Sequence, residues 1–240
     1  MKPRLELDMH LQPDDESCGP TCLHAVYRYW GDELPLHRLI AEVELLDTGG
    51  TLGVLLALHA LRRGYRSTLY TYNLQLFDPT WFIEPRTDLR ERLESQAAEK
   101  EDGRLRFATR AYIDYLALGG DIHFEELSPQ LIRRHLERDQ PILTGLSATY
   151  LYGCARERGW GRLEADDIRG YPTGHFVVLG GYDADSDEVH IADPLHESPS
   201  HGSRYYPVGM QRLLGAILLG VLTYDAVLVI LEPGRGEPAS

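Results

Sequence analysis

Residues 12–22 read QPDDESCGPTC. A glutamine stands six positions before a cysteine that opens a Gly-Pro turn, and a second cysteine follows four residues later. Such a stretch fits half of a metal site, a disulfide, or the nucleophile end of a cysteine hydrolase. The next ten residues begin to separate these. In CLHAVYRYWG, residues 22–31, Cys22, Val26 and Tyr29 or Trp30 recur at helical spacing and Gly31 closes the pattern as a C-cap. The spacing predicts a helix with Cys18 at its N-terminal end. Pro20 suits the first turn, where no N–H is needed from it. A thiolate there is favoured by the helix dipole and by unpaired N–H groups, whereas the acidic run Asp14, Asp15, Glu16 opposes it. The chemistry needs a cationic partner.

Further along, residues 174–183 read GHFVVLGGYD and residues 188–194 read EVHIADP. The turn-like DADSD between them predicts a hairpin centred near Asp185. In that register Val177 lies across from Asp193. His175 and Asp193 then share a face as diagonal neighbours, ~7 to 8 Å apart at the backbone and within side-chain reach, whereas His190 points the other way. A carboxylate beside an imidazole fixes its tautomer and stabilises its charged form. Gln12 completes the set, because an oxyanion needs two preorganised donors and a side-chain amide plus the N–H of the nucleophile's own residue supplies them. Taken alone, Cys18 reads as a buried structural thiol; with Gln12, His175 and Asp193 it reads as a nucleophile.

The rivals fit less well. A Cys18–Cys22 disulfide is disfavoured because i and i+4 Cβ atoms on a helix stand ~5 to 6 Å apart, beyond the ~3.8 Å a disulfide prefers. Cys22 is expected to pack inward. Cys154, in a loop, has no signalled partner. A zinc site at Cys18 and Cys22 lacks a second close pair of ligands. His10, His24, His59 and His123 read as surface or core residues. Gly180-Gly181 lacks the helix and lysine of a phosphate loop. Trp160 in the GWGRL loop reads equally as cleft lining or plain loop.

The chain has 240 residues, 43% hydrophobic and 25% charged, with a net charge of -13. Those are globular values. The acidic balance argues against a nucleic-acid surface. Three cysteines are too few and too odd for a disulfide scaffold. MKPRLELDMHLQP lacks the apolar core of a signal peptide, so a cytoplasmic location is expected. The run from Gly215 to Leu231, broken by Tyr224 and Asp225, is too short for a membrane span and predicts a helix followed by a buried strand. Between these landmarks the periodicity predicts two short helices across Leu36–Arg63, broken at Asp47–Gly53, and a strand over Ser67–Phe77. Solvated helices are expected over Thr87–Gly119 with a break at EKEDG. A helix from Ser128-Pro129 to about Asp139 should follow, then a strand in PILTGLSATYL and another in TYDAVLVILEP. A helical first half and an antiparallel second half define an α+β fold.

Together, Gln12, the CGPTC of residues 18–22, GHFVVLGGYD around His175 and VHIADP ending at Asp193-Pro194 resemble the bacteriocin-leader (double-glycine) peptidases and their stand-alone relatives, within the papain-like cysteine peptidases. The likeness covers the first 30 residues and most of 128–231. It implies Cys18 as nucleophile, His175 as base, Asp193 as orienting acid and Gln12 as oxyanion donor. It implies a peptide or protein substrate and no cofactor, whereas the short, broken apolar run of residues 215–231 is what argues against membrane insertion. One papain-like domain is expected over residues 1–232, with about 66–127 an insertion and 233–240 a disordered tail. No phosphate-binding Gly-rich Lys loop accompanies it. Two other readings use the same residues: an acyl transferase similar to phytochelatin synthases or transglutaminases, and a peptide-binding module without turnover.

Overall fold

The computed structural model describes residues 4–46, 49–83, 87–159, 164–195, 202–224 and 226–234. Trp160 and most of its loop, Asp47 and Thr48, and residues 235–240 of the expected tail lie outside them. The helices are α1 (Cys18–Tyr29), α2 (Leu36–Glu42), α3 (Gly53–Arg62), α4 (Leu89–Glu99), α5 (Gly103–Ala117), α6 (Pro129–Leu136), α7 (Ala148–Tyr152) and α8 (Met210–Leu219). The strands are β1 (Arg66–Thr71), β2 (Asp121–His123), β3 (Ile142–Ser147), β4 (Glu157–Arg158), β5 (Glu164–Ala165), β6 (Gly174–Asp183), β7 (Glu188–Ala192), β8 (Tyr205–Gly209) and β9 (Val227–Glu232). Seven of these strands form one sheet in the order β2-β1-β9-β3-β6-β7-β8, antiparallel except for β1 beside β2; β4 and β5 form a separate ribbon.

Near-continuous apolar runs in β3, β6 and β9 give the central strands two buried faces. Leu143, Phe176, Val178, Val227 and Val229 pack with α1, α3 and α5 on one side. On the other, Ile142, Leu146, Val177, Leu179, Leu228 and Ile230 pack with α6, α7 and α8. At about 1.5–3 kcal/mol per fully buried large apolar chain, these two layers fix the sheet on which the functional residues ride. The expected α+β fold is present, with a helical layer on each face of the sheet. Gly19 is required for close approach: a Cβ there would lie 2.6 Å from Thr51 Cγ2 and 3.2 Å from Leu56 Cδ1. The glycine of CGPTC thus lets α1 start flush against α3.

Several elements differ from the sequence reading. The strand expected over Ser67–Phe77 ends at Thr71, because Asn73 turns the chain: its Oδ1 accepts from the N–H of Gln75 and its carbonyl from those of Leu76 and Phe77. The strand expected through PILTGLSATYL ends at Ser147, and ATYL is helical. Ser147 Oγ accepts from the Tyr150 N–H and caps α7, which Gly153 ends in a left-handed conformation. The 87–119 helices are not uniformly solvated, since α5 buries Leu105, Ala108, Ala111, Tyr112 and Tyr115. The helix capped by Ser128 stops at Leu136, and Asp139 takes φ 57°. β1 and β2, which precede the antiparallel second part of the chain, extend the sheet. β8 had no clear signal, with Pro207 and Gly209 obscuring its alternation.

Candidate active site

Asp14 is the hub of the loop that leads into α1. Its Oδ1 accepts from the Glu16 N–H (3.0 Å) and the Ser17 hydroxyl (2.6 Å), and its carbonyl accepts from Gln12 Nε2 (2.8 Å). The carboxylate expected to oppose Cys18 is therefore turned into its own loop, and it holds the chain in the shape that starts the helix. The Gln12 N–H donates to the Pro194 carbonyl (2.9 Å), which ties this loop to the residue after Asp193. Cys18 comes next as the first residue of α1, half-buried, among N–H groups without intrahelical partners. Cys22, one turn on, is buried and donates its thiol to the Phe176 carbonyl. Cys18, Cys22 and Cys154 are all free thiols.

His175, second in β6, lies opposite Leu146 of β3. Its Nε2 is 3.0 Å from Oδ1 of Asp193, which is fully buried. Cys18 lies near enough to the same imidazole to favour its charged form. With Nε2 taken by Asp193, Nδ1 is the ring nitrogen that remains for the thiol.

The pairing of the two strands shows how His175 and Asp193 come to share a face. Near the turn, Asp183 pairs with Glu188 and Gly181 with His190. Carried on unchanged, that register would set Asp193 opposite Val178 and turn it away from His175. A bulge between Leu179 and Gly181 shifts it by one residue, so that Val178 pairs with Ala192. One step further places Val177 across from Asp193. Gly180 is the extra residue. Its carbonyl accepts from the Leu5 N–H, and a Cβ on it would lie 2.7 Å from Leu7 Cδ1.

The electrostatics follow from burial. Desolvation alone would lower the His175 pKa, but the Asp193 charge, its hydrogen bond and Cys18 outweigh this and raise it to about 10. For Asp193, burial pushes the carboxyl up, whereas His175 and two phenols bring it down to about 2. Those phenols were not anticipated. Tyr152 donates to Oδ2 at 2.6 Å and Tyr206 donates to the same oxygen. Tyr152 lies 41 residues before Asp193 and Tyr206 lies 13 after it. No periodicity links them to it; only the convergence of α7 and β8 does.

A thiol on a helix N-terminus beside an imidazole that is itself held by a buried carboxylate is the arrangement that papain-like cysteine peptidases use. Residues 118–215, the segment that carries His175 and Asp193, match the Peptidase_C39 like family. No curated protein matches the chain by sequence. Among solved structures, a C39-like peptidase from Bacillus anthracis is 14% identical, with a TM-score of 0.53 over 98% of this chain and 100% of that one. That likeness shows the shared fold. A double glycine motif protease from an AMS/PCAT transporter, in complex with the leader peptide, is 12% identical over 97% of this chain and 96% of that one, with a TM-score of 0.47. The peptidase domain of Streptococcus ComA, a bi-functional ABC transporter involved in quorum sensing, is 11% identical over 95% and 99%, with a TM-score of 0.46. No helix among the described residues is long and apolar enough to cross a membrane.

Proposed function

We propose that this peptidase cleaves a peptide through a thioester on Cys18, with His175, Asp193 and Gln12 as its partners. The observation that carries the reading is the His175 ring, held at 3.0 Å by the buried Asp193 carboxylate, with the Cys18 thiol beside it. The thiol proton rests on His175, whose ring holds it until the pH approaches 10, and the sulfur attacks the substrate carbonyl. Negative charge then develops on the carbonyl oxygen, where the Cys18 N–H and the second hydrogen of Gln12 Nε2 donate to it. The other Nε2 hydrogen, bonded to the Asp14 carbonyl, orients the amide. The imidazolium returns its proton to the leaving amine. It then accepts one from the water that hydrolyses the thioester, so the thiol is regenerated. Asp193 keeps its charge throughout and holds Nε2–H, which leaves Nδ1 free for both transfers.

The substrate is an extended peptide segment, and the net charge of -13 favours a neutral or basic one. Residues 1–232 act as one peptidase domain, with 66–127 elaborating it. Three free thiols suit a reducing cytoplasm. The test is the pH dependence of alkylation at each cysteine, read by peptide mass spectrometry. Cys18 is expected to label fastest at mildly acidic pH and to lose that advantage in His175→Ala. Equal rates at Cys18 and exposed Cys154, unaffected by the substitution, would rule the reading out.

A further inference from the structure

All four acceptor positions of Asp193 are filled. Oδ1 takes His175 Nε2 (3.0 Å) and the Leu195 N–H (3.0 Å), and Oδ2 takes the hydroxyls of Tyr152 and Tyr206. Its ion-pair partner is the imidazole itself. A fully buried carboxylate charged only on that account carries a large desolvation cost, and the donors around it must offset this. The two phenols are the side-chain donors other than His175, and they arrive from opposite ends of the site. Tyr152 ends α7, which caps β3. Tyr206 lies in β8, paired with Ile191 of β7. Both are buried, at 9% and 3% exposure. Burial raises the Tyr152 pKa far above its ordinary value, and the Asp193 charge adds to this, so the phenol stays protonated and donating. Its ring also stands 6.2 Å from the His175 ring, walling one side of the imidazole.

The carboxylate can turn about its Cβ–Cγ bond; its two oxygens are equivalent, so what its surroundings can fix is the plane in which one oxygen faces His175. Two phenols on the other oxygen hold that plane. We propose that Tyr152 and Tyr206 are positioning residues, which lock Asp193 so that Oδ1 meets His175 Nε2. They hold the tautomer that leaves Nδ1 to Cys18. The inference rests on the proposed peptidase roles of Cys18, His175 and Asp193, but its physical content, the state of the His175–Asp193 bond, can be read without turnover.

The experiment uses Tyr152→Phe, Tyr206→Phe and the double variant, which keep the rings and remove only hydroxyls. The pH profile of Cys18 alkylation gives the acid limb, and proton NMR gives the low-field His175 ring N–H resonance, assigned by its loss in His175→Ala. Losing a donor frees the carboxylate to turn, so less of the protein presents Nδ1 to Cys18, and labelling across the acid limb, at pH 6 for example, should slow roughly tenfold per hydroxyl. The ring N–H resonance should move upfield or broaden. A merely structural role would lower thermal stability and leave both readouts in place. Retention of both in the folded double variant overturns the proposal; if that variant does not fold, retention in the two single variants does so. Should Cys18 of the unmodified chain prove unreactive, the peptidase reading fails, and the resonance still decides the role of the phenols.

Discussion

Two buried histidines in this molecule have nearly the same surroundings on paper. His175 has Asp193 at 3.0 Å from Nε2 and Cys18 as its second partner. His59 has Glu42 at 3.0 Å from Nε2 and the Tyr27 hydroxyl at 2.8 Å from Nδ1. The rings are 6% and 7% exposed. Yet their pKa values move in opposite directions: His175 rises to about 10, and His59 falls below 6.5. The difference lies in what surrounds the carboxylate. Asp193 is fully buried, where a low dielectric strengthens its attraction for the imidazolium. The Glu42 side chain is 36% exposed, and Arg38 shares it. Desolvation therefore prevails at His59, and Arg63 and Arg62 add to it. A histidine with the right neighbours at the right distances becomes a charge-holding relay only when its carboxylate is also out of water.

The largest effect expected from breaking this comparison is on turnover of a fluorogenic peptide library. Cys18→Ala should reduce it by at least about 10⁴-fold. Tyr27→Phe, the corresponding change in the other set, should leave it within about twofold, because nothing there meets substrate. A comparable loss from Tyr27→Phe would mean that His59 takes part in the chemistry.

The carboxylates come next. Asp193→Asn should lower kcat by about 10³ to 10⁴-fold, since the amide disrupts the tautomer that leaves Nδ1 to the thiol. Glu42→Gln should leave kcat unchanged. Steady-state rates of the two variants, with circular dichroism to confirm folding, decide it.

Smallest in effect but most direct is the titration of the two rings by NMR. His175 should keep its proton until the pH approaches 10, whereas His59 should lose its own below 6.5. The signs for stability are opposite. A raised folded-state pKa means that the His175 contribution is fully present below about 6.5 and is lost as pH rises through about 10. The lowered value at His59 means that its contribution is present above 6.5 and is lost as pH falls. Denaturant midpoints of His175→Ala and His59→Ala across pH 5 to 10 should diverge in these two directions.

Much of the proposed site was legible because its signals are local. Helical spacing after Cys18 placed a thiol at a helix start, and strand parity set His175 and Asp193 on one face. That parity argument reached the correct register next to the site although it took the hairpin as regular. The bulge at Gly180 is what reconciles the turn with the site, and a Gly-Gly pair in an apolar strand was its only trace. The acidic run before Cys18 was legible as charge but not as geometry, because whether Asp14 faces the thiol or its own loop depends on the fold of that loop.

By itself, the sequence determined the helix that carries Cys18, the strands that carry His175 and Asp193, and the order of elements around them. Each follows from a period of 3.6 or 2 residues written into neighbouring positions. Only the tertiary structure decided that β1 and β2 join the sheet, that the chain turns at Asn73, that the register slips at Gly180, and that Tyr152 and Tyr206 meet on one buried oxygen. These depend on contacts between residues far apart in the chain. There, burial and hydrogen-bond satisfaction choose among arrangements that local patterning leaves equally open.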